Sequence, residues 1–335
     1  MTMFESTPNI AAEHAVHVVA AVLMRDERVL VAKRPSASHQ GDKWEFPGGK
    51  VKAGETRHDA LVRELGEELG ITVQSAHPLI QVRHSYSDKR VHLDVWRVTA
   101  FEGQPHGREG QDVTWVECSR LPDLDFPAAN QPVIRAARLP GLYLISNAQR
   151  LGEAEFMRRL ERALASGVRL LQLREPQLER AEFQRLARKV VHACHERGAE
   201  VVLNGEPAWV EACGADGVHL NSRRLRALRT RPLDARFWVA ASTHDREELD
   251  LAASLGVDFV VLGPVRASTS HPPAAPLGWE RFAQLCEVTN LPVYALGGLG
   301  AADASIARES GGQGLAMISG FWNSADPAAV VAALR

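Results

Sequence analysis

Cysteine is scarce in this chain. Cys118, Cys194, Cys213 and Cys286 are the only four, they lie far apart, and no two form a Cys-x-x-Cys pair. That spacing excludes a disulfide framework and a thiolate zinc site, and it fits a reducing compartment. Long apolar runs are missing too. The stretch at 15–24 is too short to cross a bilayer, and the leader at 1–13 carries Glu5 and Glu13 in place of a basic segment. We therefore expect a cytoplasmic protein with a flexible leader and no membrane partner. Neither sign of charge dominates, since 39 basic and 41 acidic residues leave a formal net charge of −2. Such a chain lacks the dense basic face that captures a nucleic-acid backbone, so no direct nucleic-acid binding is expected, although a single nucleotide stays within reach. Lysine is nearly absent from the second half, where Lys189 stands alone in a helical segment.

What is present points to two domains. The 335 residues exceed one ordinary domain, and 45% apolar with 24% charged residues supply apolar surface for two cores. From His17, HVVAAVLM, the turn RDE and RVLVAKR read as a strand pair leading into the polar loop 36–43 and then WEFPGGK. Residues 56–69 place Leu61, Val62, Leu65 and Leu69 at helical spacing and stop at Gly70. Two further strand-like runs, HLDVWRVTAF and VTWVEC, flank the Gly-rich turn GQPHGREGQD. The loop LPDLDFPAANQP and a short helix then lead to Pro140-Gly141, which marks the boundary between a domain at 14–139 and one at 140–335. Beyond it the strand runs LYLIS, RLLQLR, EVVLNG, GVHL, WVAAST, FVVLGPV, VYALGG and GLAMISG alternate with helical stretches. This rhythm favours a (β/α)8 TIM barrel over an open doubly wound sheet.

The chemistry concentrates in GKVKAGETRHDALVRELGEELGI at 49–71. It follows the pattern Gly, five residues, Glu, seven residues, Arg-Glu-Leu, one residue, Glu-Glu, one residue, Gly-Ile. At about 100° per residue, Glu64, Glu67 and Glu68 share a helix face opposite Leu65 and Leu69. Like charges so placed repel each other by roughly a few tenths of a kcal/mol per pair, a penalty that a hard divalent cation would reverse. The preceding Pro47-Gly48-Gly49 lets backbone groups approach a metal or phosphate, with the Gly48 carbonyl as a candidate ligand.

These residues resemble the Nudix hydrolases, and more narrowly the MutT-type enzymes that cleave oxidised guanine nucleoside triphosphates to the monophosphate and pyrophosphate. The resemblance covers about residues 17–138 and implies an α/β/α sandwich with a mixed sheet. Within it KRPSASHQGDKWEFPGGK resembles the substrate loop, GREGQ the loop that supplies a further glutamate, and DFPAANQPVI the base-reading segment. Carried over, this implies Arg34 and His39 near the nucleotide, Glu45, Phe46, Pro47 and Gly48 lining its site, Phe46 against the base and Asn130 on the purine edge. An amide offers both donor and acceptor for that edge. Metal ligands are expected among Gly48, Glu64, Glu67, Glu68 and Glu109, holding Mg²⁺ with Mn²⁺ as an alternative. The implied reaction is attack of an activated water on a phosphorus of the triphosphate, one of these carboxylates taking its proton. Lys89 departs from the arginine of close relatives and loses the guanidinium fork. An alternative reading makes the site a hydrolase of thiamine-related or other nucleoside pyrophosphates.

The second domain is similar to the thiamine phosphate synthase superfamily, through QLRE, VVLNG, ADGVHL, FVVLGPV, ALGGL and AMISGFW in that order. By position, Gly297, Gly298 and Ser319 would form a phosphate site after strands seven and eight. Other expected residues are missing. Pro176 follows Arg174-Glu175 where synthases have a lysine, and Gly205 follows Asn204 where they have an aspartate. The related thiazole tautomerases depend on a histidine where this chain has Pro264. The barrel is therefore expected to lack synthase activity, with His219 and His244 as its remaining acid–base candidates.

Overall fold

The computed structural model describes residues 15–37, 40–267 and 275–335. By packing, the described residues divide into two compact units, those within 1–76, 81–117 and 124–129 in one, and those within 77–80, 118–123 and 130–335 in the other. Among the described residues no helix is long and apolar enough to cross a membrane.

The first unit is built on a mixed sheet. Its strands are β1 (Val16–Arg25), β2 (Arg28–Lys33), β3 (Trp44–Glu45), β4 (Gly48–Lys50), β5 (Thr72–Ser85), β6 (Arg90–Glu102) and β7 (Val113–Glu117). They run in the order β3-β2-β1-β6-β5, with β4 paired to β1 and β7 to β2. The β1–β6 pair is parallel and sets His17 opposite His92 and Val19 opposite Asp94. Sequence reading overlooked β5, whose burial is confined to Leu79, Ile80 and Val82 and whose run is broken by Pro78. With so short an apolar stretch, the two-residue alternation that marks a half-buried strand never builds up.

Helix α1 (Arg57–Leu69) begins and ends where its sequence dictates. The Thr56 side chain caps it by accepting from the Asp59 N–H, and Gly70 closes it in the left-handed conformation at φ +68°. Its buried face of Ala60, Leu61, Leu65 and Leu69 packs with Val19, Ala21, Leu23 and Val98 of the sheet. Burying those four side chains contributes on the order of several kcal/mol. It also leaves Glu64, Glu67 and Glu68 on the faces that remain.

The second unit is a closed, all-parallel eight-stranded barrel. The strands are β8 (Leu142–Ile145), β9 (Leu170–Leu173), β10 (Glu200–Leu203), β11 (Gly217–Leu220), β12 (Trp238–Thr243), β13 (Phe259–Leu262), β14 (Val293–Leu296) and β15 (Gly314–Met317), in the order β10-β11-β12-β13-β14-β15-β8-β9. Alternation along β8 sorts the core: Leu142 and Leu144 join the strand–helix layer, while Tyr143 and Ile145 fill the interior with Phe259 and Tyr294. Helix α2 (Gln131–Arg138) belongs to this unit by packing. Gln313 Nε2 donates to the Ala136 and Leu139 carbonyls, and the Arg138 guanidinium sits 4.4 Å from the Trp238 ring centre.

Candidate active site

Steric necessity explains the two glycines before the helix. In the antiparallel β1–β4 pair, Gly48 lies opposite Ala20 and Gly49 opposite Val19. Gly48 has φ +149°, and a Cβ on it would stand 2.1 Å from the Val19 carbonyl oxygen. A Cβ on Gly49 would stand 2.3–2.5 Å from the carboxylate carbon and oxygens of Glu64. The bare Gly49 backbone is thus a cradle for that carboxylate. The Gly48 N–H donates to Glu68 Oε2 at 3.0 Å, so the Pro-Gly-Gly turn fixes a second carboxylate as well. Buried Pro47 anchors the turn, its carbonyl accepting from the Ala21 N–H at 2.8 Å.

Arg63 organises the acidic face. Its Nε and Nη2 donate to the two carboxylate oxygens of Glu55 at 2.7 and 2.9 Å. Nη1 reaches Glu64 at 2.7 Å and Glu67 at 3.0 Å, and Nη2 also donates to the Lys50 carbonyl at 3.1 Å. These hydrogen bonds hold the Glu55 carboxyl well below its usual range, at about 2, and push the Arg63 guanidinium further up. Neither residue had been given a role from sequence, although both occupy fixed positions of the 49–71 pattern. Their task is to position: one planar fork holds three carboxylates in place.

The loop at 103–112 is tied to the C-terminal end of α1. The Arg108 N–H donates to the Glu68 carbonyl at 2.9 Å, Arg108 Nη1 to the Gly66 carbonyl at 3.0 Å, and the His106 N–H to the Leu69 carbonyl at 3.2 Å. These donors satisfy helix-end carbonyls that have no partner within the helix. They also bring Glu109 close enough to act electrostatically on Glu68. On the other side β2–β3 pairing sets Ala32 opposite Glu45, and Arg34 pairs with Glu45. Burial raises the Glu45 carboxyl even though Arg34 pulls it down.

Glu68 feels the whole group. Burial pushes its carboxyl up to about 8, the Gly48 hydrogen bond opposes this, and Glu45, Glu109 and Glu64 push it further up. Among the described residues no cation forms an ion pair with Glu68. Mutually repelling carboxylates beside half-buried glycine backbone are a hard-oxygen donor set, which fits Mg²⁺ or Mn²⁺. The residues present therefore suit the divalent ion expected from sequence.

Of the substrate residues expected from sequence, Arg34, Glu45, Pro47 and Gly48 come together around this turn. Phe46 is buried, 4% exposed, and stacks on Phe126 with ring centres 5.1 Å apart. Asn130 heads α2 and is grouped with the second unit. His39 lies outside the described residues.

A second cluster of donor atoms was not anticipated. His17, His92 and Asp94 bring one ligand atom each within 4.8 Å of one another, a group able to coordinate a divalent metal. Asp94 also pairs with Arg57 at 3.0 Å.

In the barrel, a cavity of about 590 Å³ lies at the C-terminal ends of the strands and is lined by Gly297, Gly298 and Ser319 among others. The glycines have a steric reason of their own. Both have positive φ, and a Cβ on Gly297 or Gly298 would stand 2.6 Å from Pro264 or from the Ala267 carbonyl oxygen. The floor is neutral: Asn204 Nδ2 donates to Gln172 Oε1 at 3.0 Å, and His219 meets Tyr143 Oη at 3.2 Å and Ser242 Oγ at 2.8 Å. Burial pushes His219 down to about 3, which keeps it uncharged. His244 is bonded to Glu248 at 2.8 Å. Arg174 and Arg223 supply positive charge, and the described lining holds no aspartate, glutamate or lysine.

Comparison with known proteins accounts for both units. Residues 18–136 match the NUDIX domain family, and residues 142–321 match the thiamine monophosphate synthase (TMP-TENI) family. Over 118 residues the chain is 40% identical to the 8-oxo-dGTP diphosphatase of Escherichia coli (strain K12), a match covering 35% of this chain and 92% of that protein. It is also 40% identical over 114 residues to the CTP pyrophosphohydrolase of the same organism, covering 34% of this chain and 83% of that protein. Over 192 residues it is 33% identical to the thiamine-phosphate synthase of Laribacter hongkongensis (strain HLHK9), covering 56% of this chain and 90% of that protein. The chain belongs to both families: a Nudix-type pyrophosphohydrolase domain is fused to a TenI/thiamine-phosphate-synthase-like barrel.

Proposed function

We propose that the Nudix unit hydrolyses oxidised purine nucleoside triphosphates, 8-oxo-dGTP above all, to the monophosphate and pyrophosphate. Such an activity clears the nucleotide pool of mutagenic precursors. The observation that carries this reading is the convergence of Glu64 and Glu68 on the Pro-Gly-Gly turn, with Arg63 holding Glu64 and Glu67. Glu64, Glu67, Glu68 and Glu109, with the Gly48 carbonyl, would hold Mg²⁺ or Mn²⁺. The ion, when bound, supplies charge neutralisation on the polyphosphate and acidifies water.

The chain's own residues do the rest. Arg34, oriented by Glu45, offers a cation to the nucleotide. A carboxylate of the cluster accepts the proton of the attacking water, and Glu68, whose carboxyl is raised towards neutrality, is suited to exchange one. Likeness to an 8-oxo-dGTP diphosphatase supports the oxidised guanine substrate. Equal identity to a CTP pyrophosphohydrolase makes CTP the leading competitor.

A panel of 8-oxo-dGTP, dGTP, CTP and thiamine diphosphate, assayed on the intact chain with Mg²⁺, tests the assignment. The expected result is a kcat/KM for 8-oxo-dGTP about tenfold or more above every other substrate, with pyrophosphate as product. A higher value for CTP or thiamine diphosphate would replace it. For the barrel we propose a binding role without synthase turnover, supported by the absence of carboxylates and lysine from its described lining.

A further inference from the structure

The parallel register of β1 and β6 sets two imidazoles side by side. His17 and His92 stack with ring centres 4.8 Å apart and planes 8° from parallel. Two residues further along β6, on the same face, lies Asp94, which is 3% exposed and hydrogen-bonded to His17 Nε2. An independent feature points to a ligand. His92 Nε2 is buried and, among the described residues, has no hydrogen-bond partner. A buried polar atom of this kind calls for an occupant.

We propose that His17, His92 and Asp94 form a site for one borderline divalent transition-metal ion of the Zn²⁺ class, separate from the carboxylate cluster. Two imidazoles with one carboxylate suit such an ion, whereas Mg²⁺ requires oxygen donors. Metal–nitrogen bonds of about 2.0–2.1 Å put tetrahedral donors roughly 3.3 Å apart, so ligand atoms already within 4.8 Å need only side-chain rotation to converge. His17, with 36% of its side chain exposed, has room for that rotation. Three protein ligands leave the fourth position to solvent.

The cations nearby do not preclude the site. Arg57 engages Asp94 Oδ1, whereas Oδ2 is the atom that His17 Nε2 meets, so a metal ion would replace the proton shared by those two atoms and leave the Arg57 pair in place. Arg83 and Arg57 also act electrostatically on His92. Arg57 opens α1, whereas Glu64 and Glu68 lie roughly 10 to 16 Å further along the helix axis. An ion here would bind β1 to β6 and, through Asp94 and Arg57, steady the start of the helix that carries the carboxylates.

Zn²⁺ titration of the metal-stripped full chain by calorimetry tests the proposal, with Glu64→Gln/Glu68→Gln, His17→Gln and His92→Gln variants beside it. The expected result is one equivalent bound by the wild type and by the carboxylate variant, with affinity weakened about tenfold or more in each histidine variant. His17→Gln should keep Mg²⁺-dependent hydrolysis within about twofold. If His92→Gln fails to fold, the half-exposed His17→Gln carries the test alone. Zn²⁺ binding that disappears with the carboxylates, or that His17→Gln leaves unchanged, would overturn the site.

Discussion

Arg63 grips Glu55 through two parallel hydrogen bonds, Nε to Oε1 at 2.7 Å and Nη2 to Oε2 at 2.9 Å, and turns its remaining nitrogen to Glu64 and Glu67. Two fixed residues of the Nudix pattern therefore act through the others. Glu55 anchors the guanidinium, and the guanidinium places the carboxylates.

Arg63→Lys keeps the charge and loses the fork, so it isolates geometry from electrostatics. We expect kcat to fall about tenfold to a hundredfold with little change in far-UV circular dichroism, since small misplacements of reacting groups carry penalties of that size. Activity within twofold of wild type would show that the fork is dispensable.

Gly49→Ala should be more damaging than its size suggests. The new methyl would lie 2.3–2.5 Å from the Glu64 carboxylate and must displace it. Loss of about a hundredfold in kcat is expected in steady-state assays. Gly66→Ala provides the contrast inside α1, because a Cβ there meets nothing nearer than the Ile71 carbonyl oxygen at 3.8 Å. That variant should raise stability by about 0.5–1 kcal/mol in chemical denaturation and leave turnover intact.

The raised Glu68 carboxyl sets a pH dependence with a definite sign. Folded protein holds this proton up to about pH 8, while the unfolded chain releases it near 4.5. Stability without metal therefore falls as pH rises through that window, because the folded state binds more protons. Mg²⁺ binding must expel the proton, so apparent Mg²⁺ affinity should climb with pH up to about 8 and then level off. Calorimetry in buffers of different ionisation enthalpy would register the released proton. A pH-independent affinity between 6 and 8 would contradict the placement of Glu68.

His219 gives the opposite slope in the barrel. Burial depresses it to about 3 from an ordinary value of 6.5, so the unfolded chain takes up the extra proton as pH falls. Stability should drop by roughly 2 kcal/mol between pH 7 and pH 5 on this account alone. His219→Gln should flatten that part of the profile in thermal denaturation of the intact chain. An unchanged slope would mean that the imidazole is already solvated.

The sequence made some of this legible and hid the rest for physical reasons. Eight barrel strands were readable because each is a short apolar run between turn residues, and α1 was readable because Thr56 and Gly70 cap an apolar stripe at helical spacing. The carboxylates could be placed because helical geometry fixes which side chains share a face. Strand β5 went unseen because only Leu79, Ile80 and Val82 of its fourteen residues are buried, with Pro78 beside them. The pairing of His17 with His92 depends on the register of two strands distant in sequence, which no local pattern encodes. Arg63 was overlooked because a cation amid glutamates reads as ordinary surface charge, although its fixed place in the pattern was the available signal.

Among the carboxylate variants, Glu68→Gln is the most informative. Amide for carboxylate keeps the shape and an acceptor for the Gly48 N–H, but removes the charge and the titrating proton. Single-turnover hydrolysis of 8-oxo-dGTP at saturating Mg²⁺ should fall by about a thousandfold or more, with the denaturation midpoint preserved or raised. Near-normal hydrolysis by this variant would contradict the assignment of the carboxylate cluster as the catalytic centre.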